Sequence, residues 1–496
     1  MRKNWYCKLA ILSVFFSVAC GLLMTEKGSI DAKQRLILDK ATPNPFSHSI
    51  PLISLSRSST EVVDLLSSNT RSSPITLFLS GGELGYLKPC GCSEGQVGGI
   101  SRRDTLLTRF REQHESVIPI ANGNLILDAS RQSEIKADIG FFALADMGYI
   151  AFNVGQHDLQ LGITYLTSLS EQNKLPLLSA NLYRGASRVF LPYILHTADL
   201  LAGEITIAVI GLISPKHAIY AQNLDLKIVD PQEVIKPLMS KLRETADVIV
   251  CLFNGTNAES TALQSSFPML DIVVVSNAKT SIAESSSLST DQFVNTETKG
   301  KSIWSVPINR DITGTVAVEK ARRHLLDGKI PDSTRMIQLL ELYQEMIAAE
   351  DLVEASPQKQ KTGLQFVGTA ACKTCHIDEW KSWKETKHAH AYHTLEVAGH
   401  ETDPECLTCH TVGFGNASGF ISVEKTPNHV DVGCENCHGA GSTHVEHPEQ
   451  KEYGAIKKTS CVTCHTTENS PKFDIEVYFP KVVHSSNKSS VMKKAQ

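Results

Sequence analysis

Past its first 24 residues the chain has no apolar run long enough to cross a bilayer, which takes about 20 residues, so no further membrane-spanning helix is expected. It has no surplus of one charge. Lys and Arg number 48 and Asp and Glu 53, a net charge of −5, so nothing suggests nucleic-acid binding. Nothing in the composition marks disorder: 42% of residues are hydrophobic and 20% charged, the balance of ordinary globular domains. A length of 496 residues divides into two to four of these. Methionine almost vanishes from the last third, where Met492 is the only one after Met346. Cysteine is sparse before residue 372, where only Cys7, Cys20, Cys90, Cys92 and Cys251 occur.

The other eight of the 13 cysteines fall in four pentapeptides: Cys372-Lys-Thr-Cys375-His376, Cys406-Leu-Thr-Cys409-His410, Cys434-Glu-Asn-Cys437-His438 and Cys461-Val-Thr-Cys464-His465. Each reads C-x-x-C-H, the attachment signature of a c-type haem. Two thiols at this spacing can add to the two vinyl groups of one porphyrin, and the next histidine reaches the iron. Paired C-x-x-C units also bind structural zinc, but zinc does not require a histidine after every pair, and here all four have one. Four covalent haems are therefore expected, with His376, His410, His438 and His465 as proximal ligands. Methionine, the usual alternative sixth ligand, is excluded by its scarcity, which leaves bis-histidine or five-coordinate iron. Twelve of the 18 histidines lie after residue 370, among them His388, His390, His393, His400, His429, His444, His447 and His484.

The N-terminus carries Arg2, Lys3 and Lys8, then a 16-residue apolar run from Leu9 to Met24. That fits the h-region of an export signal over residues 1–24. A cleaved signal peptide, an uncleaved anchor and a lipoprotein signal all fit. Val18-Ala19-Cys20-Gly21 resembles a bacterial lipobox with Cys20 as the lipidated residue. An extracytoplasmic, periplasmic location with membrane association through this segment is expected, in keeping with haem attachment outside the cytoplasm.

Residues 25–72, rich in Ser, Thr, Asn and Pro, read as a linker. From Ile75, short β-branched or leucine-rich runs recur: Ile75–Leu79, Leu125–Leu127, Ile150–Val154, Leu175–Leu178, Ile205–Ile213, Val248–Phe253, Asp271–Val275 and Ile303–Ile308. Helical periodicity lies between them at Ser101–His114, Ile139–Met147 and Pro231–Ala246. The alternation predicts an α/β domain over 73–318 with sheets covered on both faces. Residues 331–353 predict a helix packed on one domain, within a connector and hinge at 319–363. The haem region follows at 364–485, mainly α and packed around its haems, with a disordered tail at 486–496.

The α/β region resembles the 5′-nucleotidase and metallophosphoesterase family. The resemblance rests on Gly98-Gly99-Ile100-Ser101-Arg102-Arg103, Asn153-Val-Gly-Gln156-His157-Asp158, Ala208-Val-Ile-Gly211-Leu212 and Asp271-Ile-Val-Val274. It implies a sandwich fold and a two-metal hydrolytic site at strand ends. The ligand positions depart from the pattern. Ser80-Gly81-Gly82-Glu83-Leu84 stands for Asp-x-His, Ser130-Arg131 for Gly-Asp, and Gln156 for the metal-binding Asn. Asn254 replaces a His, and Ser276-Asn277-Ala278-Lys279 replaces Gly-His-x-His. A degenerate, metal-free module is expected, with His157 and Asp158 as weak catalytic candidates. Lys88-Pro89-Cys90-Gly91-Cys92-Ser93 resembles the Pro-Cys-Gly-Cys loop of exported relatives fused to multihaem cytochromes. Cys90 and Cys92 are candidates for a redox disulfide or soft-metal site, against an inert structural turn. Cys251 reads as core.

The haem region resembles the tetrahaem cytochrome family that takes electrons in bacterial ammonia oxidation. The carrying residues are Trp383 to Leu395, Cys409-His410-Thr-Val-Gly-Phe414, Val432 to His444, and Phe473-Asp474 with Tyr478-Phe-Pro-Lys-Val-Val-His484. The resemblance implies distal roles for His388, His444 and His484, with His429 the choice for the fourth and His393 next. Gly439 and Gly441 are expected to let the backbone pass close to a porphyrin edge. The function implied is electron transfer between donor and acceptor redox proteins. Two alternatives stand beside it. One is an oxidoreductase acting on a small nitrogen or sulfur species at an open haem or at Cys90/Cys92. The other is a metal-dependent phosphoesterase with a redox partner domain.

Overall fold

A computed structural model describes residues 74–89, 95–113, 116–200, 203–216, 225–276, 293–296, 298–311, 313–355, 363–449, 453–454, 456, 458–467 and 469–484. The leader, the linker, Cys20, Cys90, Cys92, residues 356–362 of the hinge and the tail lie outside the described residues.

Two larger sheets and one of three strands form the α/β part. Their strands in chain order are β1 Ile75–Ser80, β2 Ser116–Ala121, β3 Phe152–Asn153, β4 Leu177–Leu178, β5 Leu182–Arg184, β6 Ser187–Arg188, β7 Tyr193–Leu200, β8 Gly203–Ile213, β9 Leu226–Ile228, β10 Val248–Asn254, β11 Ile272–Ser276, β12 Phe293–Thr296, β13 Ser302–Arg310, β14 Val316–Val318 and β15 Arg322–Leu325. The first sheet runs β14-β13-β1-β2-β3-β4, with β15 also on β13; the second runs β12-β11-β10-β8-β7. β1 to β4 are parallel, as are β8, β10, β11 and β12, while β13 joins β1 and β7 joins β8 antiparallel; β5, β6 and β9 form the three-stranded sheet in the order β6-β5-β9. Parallel strands need helical crossovers, and these cover the outer faces.

The side-chain period of two then sorts residues into layers. Ile75, Leu77 and Leu79 of β1 face Ile207, Val209, Val250, Leu252 and Val274 between the sheets. Phe78 turns outward to Leu107, Phe141, Leu144 and Leu166. These belong to α1 Ile100–Gln113, α2 Arg131–Asp146 and α3 Ile163–Asn173. On the far side Ala208, Ile210 and Cys251 meet Ile235, Met239 and Leu263 of α4 Pro231–Thr245 and α5 Asn257–Ser266. Caps set the helix starts. Asp230 accepts from Gln232 N at 2.8 Å, and Thr256 and Glu259 form a reciprocal capping box.

Two expectations need correction. Leu125–Leu127 is not a strand; the second strand is Ser116–Ala121. The backbone N–H groups of Leu125 and Asn124 are taken by the Asp158 carboxylate, so the run has no ladder to join. The sheet also continues past residue 318, because β15 pairs with β13 from Ser302↔Leu325 to Ser305↔Arg322. The helix expected within 331–353 is α6, Thr334–Ala349, whose Met336, Leu340, Tyr343 and Ile347 pack into the outer core of the first sheet.

After residue 363 the elements are short helices, among them Thr369–Lys373, Ile377–Lys384, Ala391–Ala398, Pro404–His410, Cys434–His438, Ser442–Glu446 and Ile475–Val482. Their side-chain core is small: Tyr392, Leu395, Leu407 and Phe420. Among the described residues no helix is long and apolar enough to cross a membrane.

Candidate functional site

Strand ends of the first sheet form one corner, and several of its polar groups are engaged with the protein itself. Glu83, after β1, meets Arg103 Nη2 of α1 at 2.7 Å, with both side chains 1% exposed. After β2 comes Asn122-Gly123-Asn124, so Gly123-Asn124 occupies the place assigned above to Ser130-Arg131. Ser130 instead caps α2, and Arg131 pairs with Glu134 at 2.7 Å and Glu350 at 2.8 Å. Gly123 has φ +62°, and a Cβ there would lie 2.3 Å from Asn153 O.

Asp158 accepts from Asn124 N at 2.7 Å, Leu125 N at 2.8 Å and Gly155 N at 2.8 Å, tying two loops together. Burial pushes its carboxyl up to about 7 against the pull of those donors. His157 Nδ1 lies 2.7 Å from Leu127 O. Two asparagines whose role sequence reading missed bolt the sheets together. Asn122 Nδ2 donates to Val274 O at 2.8 Å, and Asn153 Nδ2 to Asn122 Oδ1 at 2.8 Å and Leu212 O at 3.0 Å. Among the described residues no three His, Cys, Asp or Glu side chains converge to hold a metal ion. Cys251 is fully buried in β10, where burial pushes its thiol up to about 12.

The four C-x-x-C-H segments lie in or beside short helices or turns, Thr369–Lys373, Pro404–His410, Cys434–His438 and Lys458–Thr463. Three histidine pairs form across the region. The rings of His376 and His444 have centroids 6.1 Å apart, those of His388 and His465 6.2 Å, and those of His438 and His484 6.3 Å. Two imidazole nitrogens each about 2 Å from a shared metal ion put their ring centroids about 6 Å apart once a ring radius of about 1.1 Å is added at each end. The residues therefore fit an iron between each pair. Three of the motif histidines are also held through Nδ1: His438 Nδ1 is 2.7 Å from Gly454 O, His465 Nδ1 2.9 Å from Ser470 Oγ, and His410 Nδ1 2.7 Å from Ala391 O. Such contacts fix the tautomer that leaves Nε2 for a metal. Ile377, Val445, Val462, Val477 and Tyr478 stand exposed around the motifs, an apolar lining of the kind a porphyrin covers.

His410 belongs to no pair, and among the described residues no histidine ring faces it. His429 is buried nearby, through the bridge Thr411↔Val430, and neither of its ring nitrogens has a partner. His393 is exposed and meets Glu396 at 3.0 Å. The thiols order the motifs in space. Cys372 lies within hydrogen-bonding reach of Cys434, and Cys464 of Cys409. Gly439, at φ +86°, ends its helix, while Gly441 makes room for Glu435 and Tyr453 rather than showing a bare face.

The helix of the second motif is docked on the α/β part. Its cap, Asp403, accepts from Glu405 N at 3.1 Å and also from Gln132 Nε2 of α2 at 2.8 Å. Lys136 Nζ of α2 meets Glu405 at 2.6 Å. Lys88, ahead of the Cys90 loop, lies 3.3 Å from the His400 ring, and burial lowers its pKa.

The fold and these motifs define a phosphoesterase-like α/β module joined to a c-type cytochrome segment. Residues 371–439 match the family model described as cytochrome c554 and c-prime. Over 111 residues the chain is 31% identical to cytochrome c-554 of Nitrosomonas europaea, covering 19% of this chain and 47% of that protein. Over 167 residues it is 29% identical to a 5′-nucleotidase of Vibrio cholerae, covering 31% of this chain and 29% of that one. The chain thus spans about half the length of the first relative and under a third of the second. Among solved structures, the 5′-nucleotidase precursor of Thermus thermophilus aligns at 16% identity and TM-score 0.46, over 66% of this chain and 68% of that one. The C-terminal region is similar to the cytochrome c554 family, which implies covalently bound c-type haem; the N-terminal region is similar to 5′-nucleotidases.

Proposed function

We propose that this protein is an exported tetrahaem cytochrome that passes single electrons between redox proteins, fused to a phosphoesterase-like module that does not hydrolyse phosphoesters. The observation that carries the reading is the set of three histidine pairs at 6.1, 6.2 and 6.3 Å beside C-x-x-C-H motifs. Cys372/Cys375, Cys406/Cys409, Cys434/Cys437 and Cys461/Cys464 hold the four porphyrins. His376/His444, His438/His484 and His465/His388 are the pairs that would hold the irons. The group supplies reversible one-electron chemistry. The chain's own residues orient each imidazole, exclude water with apolar side chains, and bring neighbouring motifs close enough to share an electron. Cys372 beside Cys434, and Cys464 beside Cys409, support the order first–third and fourth–second motif; Cys437 near Cys461 and Cys464 supports third–fourth. Export, a periplasmic site and membrane association rest on residues 1–24.

A second reading is favoured by His410. His410 would hold an iron without a second histidine, and that iron would supply a binding place for a small nitrogen or sulfur species. Glu83 paired to Arg103, and Asp158 engaged by backbone, support loss of hydrolysis in the α/β module.

The test is electron paramagnetic resonance of the oxidised, haem-loaded chain, with mass spectrometry counting haems. Four haems with about one quarter of the iron high-spin are expected. Wholly low-spin iron would give His410 a sixth ligand and remove the second reading. Robust manganese-dependent hydrolysis of a nucleotide would overturn the account of the module.

A further inference from the structure

Glu435 sits between the cysteines of the third motif and is 2% exposed. Oε1 accepts from Val367 N at 3.0 Å and Gly441 N at 2.7 Å; Oε2 accepts from Gly368 N at 2.8 Å and Val367 N at 3.1 Å. Every partner is a donor, so the group is held as the pure acceptor that a carboxylate is. Among the described residues no Lys, Arg or His forms an ion pair with it. Backbone dipoles solvate the charge without cancelling it. Gly441 permits the approach, since a Cβ there would stand 3.3 Å from Oε1. The plainest role is a clamp fastening residues 367–368 to the motif. The position adds something a clamp does not need. Glu435 adjoins Cys434 in the chain, and Gly433 packs so closely on Thr369, the first residue of the helix that carries Cys372, that a Cβ there would lie 1.9 Å from Thr369 Oγ1; one buried charge thus stands beside two haem attachments.

A fixed negative charge in a low-dielectric interior makes adding an electron to a neighbouring centre harder. Resting on the tetrahaem reading, we infer that Glu435 holds the haems of the first and third motifs at lower potential than those of the second and fourth. Electrons entering at that pair then run toward the fourth motif and on to the second, where the α/β module is docked. Glu435 acts here as a positioning charge and touches no reacting atom.

The experiment is a spectroelectrochemical titration of the haem-loaded full chain, with E435Q and E435D beside wild type. E435Q should move two of the four potentials upward and leave two in place, while E435D keeps all four near wild type. If E435Q does not load haem, V367K sets an ammonium over the same carboxylate and should raise the same two. Four unmoved potentials, or an equal shift of all four, overturn the inference. Spin states of the same samples report separately on the histidine pairing: an unchanged pattern with unmoved potentials sinks the charge and leaves the pairing standing.

Discussion

Replacing His444 by alanine reads out the axial pairing directly. His444 lies on the five-residue helix Ser442–Glu446 and faces His376 at 6.1 Å with 35° between the rings. Three pairs and one lone histidine predict about one open iron in four in the wild type. H444A removes one pair, so the high-spin share should rise from about one quarter to about one half. Carbon monoxide bound per reduced chain should double in step. The variant loses no core side chain, because none of that helix is buried, so haem content should hold. The control is H429A. His429 faces no other histidine, and its removal should leave the high-spin share unchanged. A flat response in H444A, or a rise in H429A, would refute the pairing drawn from ring distances.

D403A removes both the cap of the second-motif helix and the acceptor for Gln132, and should cost about 2–3 kcal/mol, measured by denaturant titration. R103M strands Glu83 without its partner inside the α/β module and should cost about 3–5 kcal/mol; a loss under about 1 kcal/mol would mean Glu83 is not held as an anion. Burial raises the Asp138 carboxyl from 3.8 to about 6, despite the hydroxyl of Tyr165 at 2.7 Å. A raised acid favours folding below its unfolded pKa, and that contribution is lost as pH rises through about 6. D138N should therefore gain stability relative to wild type at pH 8 compared with pH 4, by an amount on the order of 1–2 kcal/mol; parallel pH profiles would contradict this.

Sequence alone exposes the strands that are covered on both faces, because Ile205 to Ile213 or Val248 to Phe253 must be apolar throughout. It hides Ser116–Ala121, where Pro119 breaks the pattern inside a central strand and the nearby Leu125-Ile-Leu127 run offers a better-looking rival. The misplaced strand then shifts the expected ligand to Ser130-Arg131, seven positions beyond Gly123-Asn124, where the chain reaches the corner. The C-x-x-C-H motifs are legible because attachment is local chemistry. Their histidine partners come from far along the chain, and no local rule selects His444 over His447. Asn122 gives no signal, and Asn153 only as the start of the Asn153-Val-Gly-Gln156-His157-Asp158 motif: their role as bolts between sheets is hidden until the second sheet supplies its carbonyls.

The contact between Cys372 and Cys434, and between Cys464 and Cys409, bears on how the protein is assembled. Before porphyrin arrives, these are neighbouring free thiols from different attachment sites. An oxidant would join them across two motifs and block both at once. On the tetrahaem reading proposed above, the chain has to be kept reduced until its haems are in place, after which thioether bonds would make the same neighbours immune to that error.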